Sequence, residues 1–126
     1  LTVETSPPLP VRADPDRITQ VLTNIIGNAL TATPEGGMVT IRTRANERQA
    51  QVMVADTGVG LAAADLERVF ERFYRAPGQQ RRAPGSGIGL TIARNIARAH
   101  GGEVTAASAG PGAGAMFTLT LPLRPS

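Results

Sequence analysis

From Ile18 to Thr33 the chain carries no charged residue, yet its apolar residues recur at helical spacing. Ile18, Val21, Leu22, Ile25, Ile26 and Ala29 fall on one stripe of a helix. Gln20, Asn24, Asn28 and Thr31 fall on another. A solvated helix face usually carries Lys, Glu or Arg. An uncharged amide face is instead covered, or it meets a polar ligand. This helix therefore lies on a core with one side and has a use for the other. Its ends are marked: Asp14 is an N-cap followed by Pro15 at the first helical position, and Thr33-Pro34 closes it before the turn Glu35-Gly36-Gly37. Asn24 and Asn28 can each present a carbonyl oxygen to a cation and an amino group to a phosphate. The competing reading is that both amides bond nearby backbone.

The remaining chain alternates helical and strand patterns. Residues 1–5 read as a short edge strand, and the three prolines in residues 6–10 make that stretch irregular or extended. Residues 39–44 alternate as a strand with Val39, Ile41 and Thr43 on one side, residues 46–49 form a hairpin turn, and residues 51–55 form a second, nearly continuous apolar strand. That strand runs straight into Asp56-Thr57-Gly58-Val59-Gly60. A carboxylate at the end of a buried strand needs a donor, and it accepts only, so an amino group such as adenine's fits it. Gly58 and Gly60 would let a flat base approach the backbone. A turn-forming Asp before Gly is the plainer alternative. Residues 65–75 read as a short helix with Leu66, Val69, Phe70 and Phe73 on one face. Residues 103–108 and 115–121 read as a closing antiparallel pair, with Phe117, Leu119 and Leu121 inward and a glycine-rich connection over residues 110–114. With no internal repeat and no domain boundary, the chain is a single α+β domain over residues 1–126, a two-layer sandwich.

A second glycine-rich stretch, Gly85-Ser86-Gly87-Ile88-Gly89-Leu90, opens a helix that runs to about His100. Free backbone N–H groups at a helix start favour an anion, most often phosphate. The spacing is neither the dinucleotide fingerprint nor a P-loop, since no Lys occurs anywhere in the chain. Residues 76–84, bounded by Pro and Gly and holding Arg81 and Arg82, read as a mobile surface loop just before it. His100, the one histidine, reads as a helix C-terminal residue with Gly101 as the C-cap.

Composition removes several alternatives. Without Cys there is no disulfide framework, thiol nucleophile or Cys-based metal site. No apolar run is long enough to span a membrane, and no signal peptide is present. The net charge of +3 comes entirely from Arg, scattered along the chain with only Arg81-Arg82 adjacent. That suits a polyphosphate or an acidic partner as well as nucleic acid, and nucleic acid is not expected.

The motifs taken in order resemble the ATP-binding catalytic domain of bacterial sensor histidine kinases over nearly the whole chain. Residues 20–29 look like that family's N box and residues 56–60 like its G1 box. Phe70-Glu71-Arg72-Phe73-Tyr74-Arg75 looks like its F box, and residues 85–90 like its G2 box. Ala99-His100-Gly101-Gly102 and the later residues 112–117 are also typical. The resemblance implies a Bergerat-type fold: a mixed, mostly antiparallel sheet with about three helices on one face. It implies ATP and Mg²⁺ as ligands. Asp56 would take the adenine amino group, with Gly58 and Gly60 beside it. Asn28 would coordinate Mg²⁺, and Asn24 would help hold the phosphate–metal end. Gly85, Ser86, Gly87, Ile88, Gly89 and Leu90 would wrap the phosphates under a lid formed by residues 76–84. Arg72 or Arg75 would steady the γ-phosphate.

The resemblance also implies an enzyme that is incomplete alone: a protein-histidine kinase whose acceptor His lies on a separate helical hairpin, with a response regulator downstream. The domain would be cytoplasmic, reaching a membrane only through the rest of a sensor. His100 does not match the acceptor. The family often has a basic residue and then an aromatic or His where this chain has Thr31 and Ala32, which implies a loose adenine site. Two rivals remain: an anti-sigma-factor-type Ser/Thr kinase or ATPase of the same superfamily, and a degenerate nucleotide sensor that binds a partner. Hydrolases of the superfamily commonly carry Glu at the position of Asn24, so the amide favours a kinase.

Overall fold

The structure, a computed structural model, describes residues 2–4, 11, 13–71 and 89–123. Helix α1 (Pro15–Ala32) begins and ends where its local signals place it. The Asp14 carboxylate accepts from the N–H groups of Asp16 and Arg17, two donors that a helix start otherwise leaves unpaired. At the far end the extended Thr33 donates its hydroxyl to Ala29 O at 2.7 Å. Val21, Ile25 and Ala29 are fully buried, and Ile18, Leu22 and Ile26 pack against the same core. That is the apolar stripe of the sequence.

Among the described residues five strands form one sheet: β1 (Thr2–Glu4), β2 (Val39–Ala45), β3 (Gln49–Asp56), β4 (Glu103–Ala107) and β5 (Ala115–Pro122), in the order β1-β2-β3-β5-β4. β1 is the expected edge strand and runs parallel to β2; the other pairings are antiparallel. The β2–β3 hairpin turns on Asn46, whose Oδ1 accepts from the N–H groups of Arg48 and Gln49. Along β5, Phe117, Leu119 and Leu121 are buried while the residues between them are not, which is the period-two pattern of a half-covered sheet. Each such large side chain contributes on the order of 1.5–3 kcal/mol when buried. Helix α2 (Gly89–Ala99) packs beside α1 and over β4 and β5. Gly101 stops it at φ +80°, and the Gly102 N–H returns to Ala97 O at 2.8 Å.

The third helical segment differs from the sequence expectation. Two 3₁₀ turns, Ala63–Asp65 and Arg68–Phe70, replace the first part of the helix expected from residue 65. The apolar i, i+3 spacing of Leu66 and Val69 serves a 3₁₀ turn as well as an α-helix, and no side chain caps either turn. Val69 and Phe70 are buried as expected. The Phe70 ring meets Phe117 edge-on at 6.1 Å, and the Arg94 guanidinium lies 4.1 Å above it. Arg94 also bonds Glu103 at 2.9 Å and Glu67 at 3.1 Å. Burial alone would raise the Glu103 pKa, but hydrogen bonds from Arg98, Arg94 and the Val104 N–H hold it down at about 2. This network joins α2, β4 and the 3₁₀ segment. No described helix is long and apolar enough to cross a membrane.

Candidate functional site

Asp56 ends β3 with its carboxylate buried. Oδ1 accepts from the N–H of Gly58 at 2.9 Å and of Ala115 at 3.2 Å. Oδ2 is buried without a hydrogen-bond partner among the described residues. Burial raises the carboxyl pKa, and the two N–H donors only partly oppose it. One oxygen is thus fixed by backbone, and the other is a buried acceptor that fits a donor, since an unmet buried acceptor is costly.

The loop after Asp56 is gripped on two sides. Val59 donates its N–H to Ala32 O at the end of α1. A Cβ at Gly58 would lie 2.2 Å from that same carbonyl oxygen, so no larger residue fits. On the other side, Gly112 donates to Val59 O at 2.7 Å and Gly114 to Gly58 O at 3.2 Å. Gly60 sits at φ +70°, and a Cβ there would meet Gly110 O at 2.2 Å. Ser108 Oγ accepts from the N–H groups of Leu61 and Gly110 and donates to Gly114 O at 2.6 Å.

The amide stripe divides into two roles. Asn24 donates Nδ2 to Gly89 O at 3.0 Å, joining α1 to the first described residue of α2. A carbonyl only accepts, so this fixes which end of the amide faces it. Asn28, one turn on, has a buried Nδ2 with no partner among the described residues. Rotating the amide by half a turn would place its oxygen at the same spot, so Asn28 suits either a phosphate oxygen or a hard cation. Among the described residues no group of three His, Asp or Glu side chains could hold a metal. A Mg²⁺ here would fit as an ion held by the Asn28 amide, ligand phosphates and water.

The sequence-derived site residues therefore separate. Asn24, Asn28, Asp56, Gly58, Gly60 and Gly89 come from α1, the β3 loop and the start of α2, and Asn24 links two of these elements directly. Leu90 is buried in the hydrophobic core. Arg72, Arg75, Gly85, Ser86, Gly87 and Ile88, with the lid expected over residues 76–84, lie outside the described residues. Ala32 is only 4% exposed, with the loop from Asp56 lying on its carbonyl. Ala32, where the resemblance implies a missing stacking contact, is thus packed under the Asp56 loop. Ser108 and Ala115, which hold the loop and Asp56, figure in the sequence only as strand ends and, for Ala115, within the family-typical residues 112–117, not as site residues. The one signal for Ser108 is a hydroxyl residue at a strand end before a glycine-rich turn.

A family model described as histidine kinase-, DNA gyrase B- and HSP90-like ATPase matches residues 13–125. The sensor histidine kinase WalK of Bacillus subtilis is 45% identical over 90% of this chain, and the match spans 19% of WalK. The chain spans about a fifth of the length of the curated relatives it first matches. Among solved structures, the mycobacterial sensor histidine kinase MprB superposes with a TM-score of 0.88 at 31% identity, covering 99% of this chain and 84% of that one. Full-length ShkA in complex with AMPPNP superposes at 0.82 with 34% identity, covering 99% of this chain and 26% of that one.

Proposed function

The chain belongs to the histidine kinase-, DNA gyrase B- and HSP90-like ATPase family, and from that premise we propose that it binds Mg·ATP and supplies the γ-phosphate to a histidine on a separate helical-hairpin domain. The kinase names among its relatives and the ShkA complex with AMPPNP, an ATP analogue, support this reading. The observation that carries it is Asp56, with Oδ1 fixed by two backbone N–H groups and Oδ2 buried and bare of any described partner. An acceptor aimed in this way selects the 6-amino group of adenine over the 6-carbonyl of guanine.

The division of labour follows from the residues. Asp56 orients the base. Asn28 meets the phosphate–metal end, where Mg²⁺ would neutralise phosphate charge. Asn24 secures the start of α2, and Gly85, Ser86, Gly87, Ile88 and Gly89 line the phosphates, with Arg72 or Arg75 at the γ-phosphate. Phosphoryl transfer of this kind rests on positioning and charge neutralisation. An amide cannot act as a general base near neutral pH, and the Asn24 amino group is already engaged, so water activation is not served. His100 is not the acceptor in this reading. Its Nδ1 contacts Ile96 O at 2.8 Å and its Nε2 accepts the Asp14 N–H at 3.2 Å. The partners are the acceptor-histidine domain of a longer, cytoplasmically placed kinase and a response regulator, with nucleic acid not among them.

Calorimetry with Mg·ATP and Mg·GTP tests the base assignment on wild type and Asp56→Asn. Wild type should prefer ATP by about a hundredfold or more, and Asp56→Asn should lose that preference. Equal affinity of wild type for both nucleotides would overturn the assignment. With radiolabelled ATP the chain alone should hydrolyse slowly and leave His100 unlabelled, and an added acceptor hairpin should become labelled. Rapid hydrolysis, or label on His100, would favour an ATPase instead.

A further inference from the structure

We infer that Ser108 is a positioning residue for base recognition, acting on Asp56 through the loop of residues 108–115. The inference rests on the assignment of Asp56 to the adenine amino group and extends it to a residue that touches neither base nor phosphate.

A serine hydroxyl has one proton to give and two lone pairs to share. Ser108 uses all three. It accepts from Leu61 N–H at 3.0 Å and Gly110 N–H at 3.1 Å, and donates to Gly114 O at 2.6 Å. Those partners lie at the two places that determine where Asp56 points. Leu61 directly follows Gly60, the last glycine of the loop that begins at Asp56. Gly114 directly precedes Ala115, whose N–H holds Asp56 Oδ1.

The two loops have no slack between them. A Cβ on Gly114 would meet Asp56 O at 2.1 Å, and one on Gly60 would meet Gly110 O at 2.2 Å. Gly112 and Gly114 add backbone bonds to Val59 and Gly58. In this close contact Ser108, half-buried and off the end of β4, supplies a second side-chain link beside that of the Asp56 carboxylate to Ala115. Without it, Leu61 N–H and Gly114 O lose their partner together, and the Ala115 N–H is held against Asp56 by the β3–β5 pairing and the Gly112 and Gly114 backbone bonds alone. Oδ1 then has one of its two donors less firmly fixed, and the bare Oδ2 is held less closely to one direction.

This role differs from general structural support. If Ser108 acts through Asp56, its loss affects only ligands that use Asp56. Inosine triphosphate keeps the phosphates, sugar and ring of ATP but replaces the 6-amino group with a carbonyl. Calorimetry on the 126-residue chain with Mg·ATP and Mg·ITP therefore separates the two roles. Ser108→Ala should weaken ATP about tenfold, as expected for one or two buried hydrogen bonds, and leave ITP within about twofold. Ser108→Thr, which keeps the hydroxyl, should restore ATP affinity. In an Asp56→Ala background Ser108→Ala should have no further effect on either nucleotide. Equal loss of ATP and ITP, or no loss of ATP, would overturn the inference, as would failure of Ser108→Thr to rescue when it melts like wild type. If wild type itself fails to prefer ATP over ITP, the Asp56 assignment fails instead, and the two failures are told apart by that one measurement.

Discussion

Replacing Asn24 by aspartate keeps its shape and reverses its chemistry. The amide now donates Nδ2 to Gly89 O at 3.0 Å, in a half-buried position between α1 and α2. An ionised carboxylate there would set two acceptors against each other. Losing the hydrogen bond costs about 1 kcal/mol, and leaving the carbonyl facing an acceptor adds a similar amount, for about 2 kcal/mol near neutral pH. In a domain of this size that lowers Tm by about 6–10 °C. The fold thus disfavours the ionised form, which raises the folded-state pKa of the introduced carboxyl above its ordinary value near 3.9. A raised folded pKa means the protonated form is favoured in the fold. The stability deficit is therefore small below about pH 4, the ordinary carboxyl value, and grows as pH rises through the raised folded value. Once protonated, the introduced group can donate to Gly89 O again. Asn24→Ala provides the contrast, since it loses the bond at every pH. Thermal melts of wild type and both variants at pH 4 and pH 7.5, read as differences from wild type at the same pH, form the assay. A deficit for Asn24→Asp that is absent at pH 7.5, or that matches Asn24→Ala at both pH values, would refute the role assigned to this hydrogen bond.

Glu103, held at a pKa of about 2 against 4.5 in the open chain, contributes stability that is full above about pH 4.5 and is lost as pH falls toward 2; Glu103→Gln should flatten that part of an acid titration followed by circular dichroism while lowering the melting point at pH 7. Gly60→Ala places a Cβ against Gly110 O at positive φ and should cost at least about 2 kcal/mol, read as a melting point lower by about 6 °C or more. Gly27 lies mid-helix and exposed, with no neighbouring atom within 4 Å of where a Cβ would stand, so Gly27→Ala should stabilise by about 0.5–1 kcal/mol, raising Tm by a few degrees. Ala32→Tyr should destabilise by about 1–3 kcal/mol through overpacking, because Ala32 is buried under the Asp56 loop; calorimetry showing tighter ATP binding with an unchanged melting point would contradict this.

What is legible in the sequence is what depends on nearby residues. The Asp14–Pro15 start of α1 and the Asn46 turn each close their hydrogen bonds within a few positions, so the residues alone specify them. The amide stripe is legible as a face, but its partner is not. Gly89 lies 65 positions away, and only the packing of α2 on α1 decides that Asn24 meets a carbonyl while the Asn28 amino group finds no hydrogen-bond partner among the described residues. Ser108 is hidden for the same reason, with Leu61 47 positions distant. The 3₁₀ turns pass for a helix because apolar i, i+3 spacing does not distinguish the two. The small size of Ala32 is visible in sequence, but the loop from Asp56 that covers it is not.

The strand order carries a consequence for how the chain is made. β5 lies between β3 and β4 and borders both, with Gln49 paired to Pro122. During vectorial synthesis α1 and the β2–β3 hairpin emerge early, but one edge of β3 stays unpaired until β5 appears. An unpaired edge of this kind invites pairing with other chains. Ala115, which donates to Asp56, is the first residue of β5. A nascent chain arrested after Ala107 should therefore hold all of α1 and its amides yet bind no nucleotide, so that base selectivity appears only as β5 is threaded into the sheet.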